Sequence, residues 1–470
     1  MLKDLGLRLR IFLIFCGGAA AVAAVIILSM YLGHSRLQES GGVTAFVLAG
    51  FLSCLGLFAI SAFVWLLFDE NVAKPILRLS AAIRTRVHAD VDRPIDLSEA
   101  KYLGDLAPAA SAVVGRLSLE KTGSSGAQAR AIEQYARERE QLAQLLSQIP
   151  VAIVLVSKAH TISLYDGQAA DILAQVHVPR LGASIFDYFD KQDFLAALKV
   201  LTPFRNEAHP IVKAAGAALH FQLQIKRLPE SDDFLVLIDN ASADIAPEAQ
   251  RPLVFNFDMS EQATQGAIYN SPLDELSFVV FDSETTGLML NKDDIVQIGA
   301  LRVVGGRIVQ GEAFDLLVNP GRPIPPASTR VHGIRDEDVV GAPDPISAVA
   351  QFHRFAKDAV IVAHNANFDM AFVRRYAKRS GERWDHPVLD TVLLSAVVFG
   401  TNEVHTLDAL CERLGISIPL EMRHTAIGDA KATAEALCKL LPILKERGFD
   451  SLEKVIKQTR KHGRLLKDLN

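Results

Sequence analysis

Leu276-Ser277-Phe278-Val279-Val280-Phe281-Asp282-Ser283-Glu284-Thr285-Thr286-Gly287 is an apolar run that ends on two carboxylates one residue apart. Residues 276–281 read as a strand. Side chains alternate along a strand, so Asp282 and Glu284 project from one face. Two neighbouring carboxylates repel each other unless a cation lies between them, and oxygen donors of this kind suit Mg2+ or Mn2+. The Thr285-Thr286-Gly287 that follows offers hydroxyls and an open backbone to a phosphate or sugar.

Downstream, residues 295–304 and 307–318 flank Gly305-Gly306, a hairpin signal. Residues 360–363 form another buried strand, which runs into His364-Asn365-Ala366-Asn367-Phe368-Asp369 and a helix over about residues 368–379. Asp369 therefore stands at a helix start beside a strand end. Arg423-His424-Thr425-Ala426-Ile427-Gly428-Asp429 then enters a terminal helix, with Asp429 in its first turn and His424 on the lead-in.

These three segments resemble the DEDDh exonucleases, and most closely the proofreading (epsilon) subunit family of bacterial DNA polymerase III. DxETTG falls at Asp282 to Gly287, HNAxFD at His364 to Asp369, and HxxxxD at His424 to Asp429. Asn319-Pro320, Val331-His332-Gly333-Ile334 and His405-Thr406-Leu407-Asp408-Ala409-Leu410 match as well. The resemblance implies an α/β ribonuclease-H-like domain with a mixed sheet over residues 273–444. It implies two divalent metal ions, Mg2+ or Mn2+, held by Asp282, Glu284, Asp369 and Asp429, with His424 as general base. Thr285, Thr286 and Leu288 are then expected to line the 3′-terminal nucleotide, and the products to be nucleoside 5′-monophosphates. His364 and Asn365 read as braces of their motif, and His332 and His405 as structural. Asp390 reads as a helix cap or a supporting carboxylate, and Asp315 and Asp336 as solvated or turn residues.

The whole 470-residue chain carries 50% apolar residues, a mean hydropathy of +0.21 and a net charge of −5. No global basic excess marks it as a nucleic-acid binder. Its four cysteines form no CxxC or zinc spacing. The hydropathy has a local source. Residues 11–32 and 43–68 are apolar runs, each long enough to cross a bilayer as a helix. Lys3, Arg8 and Arg10 precede the first, Lys74, Arg78, Arg84 and Arg86 follow the second, and the connector holds only Arg36 and Glu39. This bias predicts a transmembrane hairpin (1–70) in a bacterial inner membrane, with both termini and the exonuclease domain in the cytoplasm. The first run is longer than the apolar region of a cleaved signal peptide.

The overall expectation is a multidomain chain. Ala73-Lys74-Pro75 opens a helical segment (71–122) that resembles a HAMP relay module. A linker helix (123–148) leads to an α+β domain (149–245) that resembles a PAS domain, with no haem or flavin signature at His177 or His220. A linker (246–272) offers Phe255 and Phe257 for docking. Residues 445–470 hold eight Lys/Arg against four Asp/Glu and read as a basic tail, either a nonspecific phosphate binder or a solvated amphipathic helix.

The expected function is a membrane-anchored 3′→5′ exonuclease on single-stranded DNA or RNA ends. RNA processing or oligoribonucleotide turnover uses the same chemistry. A signalling protein whose nuclease-like domain only binds nucleic acid or a partner is a further reading. Expected partners are the lipid bilayer, a second copy through the HAMP-like and PAS-like segments, and, least in keeping with an anchor, a DNA polymerase.

Overall fold

A computed structural model of the chain describes residues 7–36, 42–89, 91, 103, 106, 109, 110, 112, 151–238 (apart from 203–204, 217–218 and 229–231), 254–255 and 268–470. The chain forms two compact units, Met1–Ser124 and Ser125–Asn470.

In the first unit, α1 (Leu7–Arg36) and α2 (Gly42–Phe68) are almost wholly apolar. Gly18 faces Val64 and Gly56 faces Val25, so the two helices run antiparallel. At Gly56 a Cβ would collide with Val25, which is why the pair can approach closely there. Among the described residues, one helix, Val47–His88, is long and apolar enough to cross a membrane, and Cys16–Leu32 is a shorter apolar stretch. A π-helical turn, Asp69–Ala73, joins α2 to α3 (Lys74–His88). Pro75 has no N–H to donate, and the wider turn accommodates that gap in the ladder. Leu79 packs with Val72, Ile83, Val87 and Leu103. Most of the HAMP-like second half, and all of the linker helix at 123–148, lie outside the described residues.

The second unit opens with an α+β layer. Its elements are β1 (Ala152–Val156), β2 (Ile162–Tyr165), α4 (Gly167–Ala174), α5 (Lys191–Lys199), β3 (Glu207–Ala208), β4 (Ile211–Lys213), β5 (His220–Arg227), β6 (Phe234–Ile238) and β7 (Val254–Phe255). The strands form one antiparallel sheet in the order β3-β5-β6-β1-β2-β7, with β4 also on β5. Asp166 and Asp190 accept from the first-turn amides of α4 and α5, which starts both helices. Phe255 docks as expected, pairing with Leu164, while Phe257 lies outside the described residues.

The third layer is the mixed sheet. β8 (Ser277–Thr285), β9 (Ile295–Val304) and β10 (Arg307–Leu317) are antiparallel, and β11 (Val360–Ala363) and β12 (Val388–Asp390) run parallel to β8, in the order β10-β9-β8-β11-β12. This is an α/β domain with the mixed sheet of the ribonuclease-H-like fold. Around it lie α6 (Pro326–His332), α7 (Pro345–Ala356), α8 (Ala366–Ser380), α9 (Thr391–Phe399), α10 (Leu407–Leu414), α11 (Ala426–Glu446) and α12 (Leu452–Thr459). Val279, Phe281, Phe352, Phe355 and Phe372 are fully buried between sheet and helices. Ala430 and Ala434 on α11 are also fully buried, and such small side chains let the helix lie close to its neighbours.

Residues 445–470 are no free tail. Leu452, Val455 and Ile456 bury the apolar face of α12, and the Asn470 side chain bonds the Val388 main chain in both directions, at 2.6 and 2.9 Å. Lys454 and Lys457 form the outer face of α12, an amphipathic helix whose other face has a core to cover.

The two sheets of this unit meet through a buried polar cluster. Tyr165 donates to Glu312 at 2.9 Å, as does the Leu181 amide at 2.5 Å, and Arg302 Nε lies 2.5 Å from the other Glu312 oxygen. Arg302 also donates to Ser277 and to the Phe355 carbonyl. Arg180 donates to the Lys357 carbonyl at 2.9 Å and pairs with Asp187.

Candidate active site

β8 ends at the site. As alternation requires, Asp282 and Glu284 share a face, and that face meets the first turn of α11, which carries Asp429. Oxygens of Asp282, Glu284 and Asp429 all lie within 4.8 Å of one another, and all three residues are half-buried. Asp369, in the first turn of α8, is buried, and its charge acts on both Asp282 and Glu284. One oxygen of Asp369 accepts twice from Ser283, from the amide at 3.1 Å and the hydroxyl at 2.6 Å. That fixes the carboxylate and leaves its other oxygen for the cluster.

The electrostatics are those of a site made for cations. Burial, then Asp369, Glu284 and Asp429 in that order, raise Asp282 well above the usual carboxylate range. Burial and the charges of Asp429 and Asp369 push Glu284 up to about 8. Burial takes Asp369 up to about 7 against the pull of the Ser283 bonds. Burial raises Asp429 as well, opposed by His424. Carboxylates so placed gain most from a divalent cation, which offsets burial and repulsion together. The donor set, oxygen only, fits Mg2+ or Mn2+.

His424 is exposed on the lead-in to α11. Its φ of 55° lies in the left-handed region, as does that of Asn365 at 65°. Neither is glycine, and such conformations cost free energy that tertiary contacts must offset. Each precedes a helix that delivers an acidic residue to the site.

The substrate-lining candidates are arranged differently from a simple reading of the motif. Thr285 Oγ1 donates to the Gly287 carbonyl at 2.7 Å, and Thr286 Oγ1 donates to Asp293 and accepts from the Asp294 amide. Both hydroxyls build the loop instead of standing free in it. Gly287 is needed there because a Cβ would press on the Asp293 carboxylate. Leu288, by contrast, is 82% exposed.

Supporting residues fall into place around these. Asp390 caps α9 through Val392 and also accepts from the Asn365 and Ala366 amides at 3.2 and 2.7 Å, so it secures the start of α8 too. His364 bonds Thr391 at 2.8 Å, and burial pulls it down to about 4, so it is a neutral brace. His332 accepts from the Ile334 amide, and His405 bonds Ser395. Asp336 accepts from the Ile324 amide.

Two residues went unrecognised in the sequence, and a third, Asp315, has a partner that the sequence did not suggest. Gln297 is a polar side chain in the apolar run of β9, as is Arg302, and that was the available signal. Gly299 lies between Asp282 and Asp315 in the strand register, and a Cβ on it would strike the backbone of Ala426 and Ile427. Asp315 is exposed, as a solvated residue would be, but it is not in a turn. It sits within β10 and accepts from Gln297 at 2.7 Å.

Residues 279–437 match the family model described as Exonuclease. A DNA polymerase III subunit epsilon-like protein of Rhodobacter capsulatus is 31% identical over 703 aligned positions spanning all of both chains. The PolC-type DNA polymerase III of Caldanaerobacter subterraneus subsp. tengcongensis is 41% identical over 181 residues, 38% of this chain and 13% of that one. Among solved structures, Escherichia coli Exonuclease I with a dT13 oligonucleotide is 21% identical, with a TM-score of 0.33, over 37% of this chain and 42% of that one. Exonuclease X in complex with 5′ overhanging duplex DNA is 24% identical, with a TM-score of 0.30, over 39% of this chain and 99% of that one.

Proposed function

This chain belongs to the DNA polymerase III subunit epsilon-like proteins, and from that premise we propose that it is a membrane-anchored 3′→5′ exonuclease acting on single-stranded DNA. The observation that carries the reading is the convergence of Asp282, Glu284 and Asp429 within 4.8 Å, with the charge of Asp369 acting on the first two.

Held by these four carboxylates, two Mg2+ or Mn2+ ions would supply the Lewis acidity that activates water and offsets charge on the scissile phosphate. The protein's own contribution is to hold the carboxylates rigidly. Asp282 and Glu284 sit on a central strand, Ser283 locks Asp369, and α11 fixes Asp429. His424, exposed at the rim, takes the proton of the attacking water, a role that suits an imidazole at neutral pH. Displacement of the 3′ oxygen releases a nucleoside 5′-monophosphate. Leu288 offers an apolar face to the terminal base, and the Thr285–Thr286 loop shapes the nucleotide's seat.

Anchoring rests on α1 and α2 as a two-helix hairpin in the inner membrane with the exonuclease domain in the cytoplasm. Phe51, Phe58 and Trp65 on α2 are exposed, and lipid would cover them. α3 opens the segment (71–122) whose sequence resembles a HAMP relay. The strand order β2-β1-β6-β5 supports a PAS-like reading of residues 149–245, and both modules point to a dimer.

The test uses full-length protein in detergent with 3′-labelled DNA and RNA of matched sequence. Mononucleotide release with Mg2+ or Mn2+, lost with a chelator and in Asp282→Ala, is expected. A folded protein that releases nothing with either metal refutes the reading, and faster cleavage of RNA replaces DNA as substrate. Extraction of the protein from membranes by alkaline carbonate would remove the anchor.

A further inference from the structure

Gln297 faces Glu284 directly across the β8–β9 ladder, so the two side chains share a face. Its amide nitrogen donates to Asp315 Oδ1 at 2.7 Å, and its amide oxygen accepts the Ala426 N–H at 3.2 Å. The orientation follows from chemistry. A carboxylate only accepts, so the amide nitrogen must face Asp315, and only the oxygen is left for the N–H.

Ala426 is the first residue of α11, and the first four amides of a helix have no partner within it. The N-cap Thr425 satisfies Gly428 at 3.1 Å, and Gln297 satisfies Ala426 from the sheet. The contact is enclosed: Gln297 is buried, and Gly299 lets the helix backbone rest directly on β9. The turn seated this way carries Asp429 three residues on and His424 two residues before.

We infer that Gln297 and Asp315 are positioning residues for the nuclease reaction: Asp315 orients the Gln297 amide, and Gln297 seats the start of α11 so that Asp429 and His424 meet Asp282 and Glu284. The inference rests on the exonuclease reading, and it concerns residues that touch neither the substrate nor the reacting atoms. It predicts that their loss slows turnover and weakens cation binding while leaving nucleic-acid binding nearly intact.

The experiment compares full-length wild type, Gln297→Met, Asp315→Ala and Asp315→Asn in detergent. Two quantities are read: kcat and KM on a 3′-labelled oligonucleotide, and Mn2+ affinity by electron paramagnetic resonance. Gln297→Met, of similar volume but unable to make either bond, should lose roughly 10- to 100-fold in kcat and a comparable factor in Mn2+ affinity. Its KM should stay within about twofold, the pattern of a transition-state effect. Asp315→Ala should fall in the same direction, and Asp315→Asn should recover most of the loss, because its amide oxygen still accepts from Gln297. Wild-type kcat and Mn2+ affinity in Gln297→Met would overturn the inference. A loss confined to KM, or no recovery in Asp315→Asn when Asp315→Ala is impaired, would do the same. If wild type itself releases no nucleotide, the exonuclease reading fails, and the Mn2+ arm still decides whether Gln297 seats the carboxylates. Thermal melts confirm that each variant is folded, and the Asp315 pair keeps the test open should Gln297→Met not fold.

Discussion

Tyr165 donates to Glu312 at 2.9 Å across 147 residues of sequence, joining the α+β layer to the edge strand of the nuclease sheet. Glu312 and Arg302 are buried. Burial raises the Glu312 carboxyl against the pull of Arg302, and burial lowers the Arg302 guanidinium against the pull of Glu312. Each ion is tolerated only because the other is present. Glu312→Ala should therefore destabilise this unit by about 3–5 kcal/mol, the scale of a broken buried pair. Tyr165→Phe, which removes one bond to a charged group, should cost about 1.5–3 kcal/mol. Urea denaturation followed by fluorescence of Trp384, buried in the nuclease core, measures both; equal effects of the two substitutions would contradict the ranking.

The acidic cluster sets a pH dependence. Glu284 is pushed up to about 8 and Asp369 to about 7, whereas unfolded carboxyls titrate at about 4. Between these limits the folded chain binds more protons than the unfolded one. The stability these groups contribute is fully present below about pH 4 and is lost as pH rises through about 7 to 8. In chelator, Tm should fall from pH 6 to pH 9, and Mg2+ should restore it most at the alkaline end. A chelated protein whose Tm rises over that window would exclude this account.

Asp282→Asn removes one ionisable carboxyl from the repelling group. It should raise Tm in chelator at pH 8 and abolish cleavage, the trade-off expected where a site stores unfavourable electrostatics. Calorimetry and nucleotide release on the same preparation check both halves.

Ser283→Ala removes the 2.6 Å hydroxyl bond to Asp369 and keeps the 3.1 Å amide bond. Asp369 then loses part of its fixed orientation, and the rate should drop by roughly tenfold. Steady-state kinetics at saturating Mg2+ measure it. An unchanged rate would show that the amide alone suffices.

Gly299→Ala places a methyl group against the Ala426 and Ile427 backbone. Backbone cannot swing aside as a side chain can, so α11 must shift. About 1–3 kcal/mol of stability should be lost, and Mn2+ affinity should fall because Asp429 moves with the helix. Urea denaturation and Mn2+ titration report the two effects separately.

Much of this was legible in the chain itself. The strand ending in Asp282 and Glu284 and the helix starts that carry Asp369 and Asp429 follow from local pattern. Alternation within one strand is set by covalent geometry, so the shared face of Asp282 and Glu284 needed no fold to be inferred. Asp390 stood between two readings, and the fold assigns it both: a cap for α9 and a clamp on α8.

Tertiary structure alone decided the rest. Asp315 is a surface residue, and its bond to Gln297 follows from the register that sets it beside Gly299, across from Asp282. The stretch at 445–470 offered an amphipathic helix, and the fold supplies the core that buries Leu452 and Ile456. The threonine hydroxyls looked available until the loop used them. In each case the deciding partner lies on another element or across a turn, and its placement depends on packing that no local spacing encodes. Sequence thus determined which carboxylates exist and which way their own strand or helix points them. The fold determined that they converge, and that Gln297, Gly299 and Asp315 hold them together.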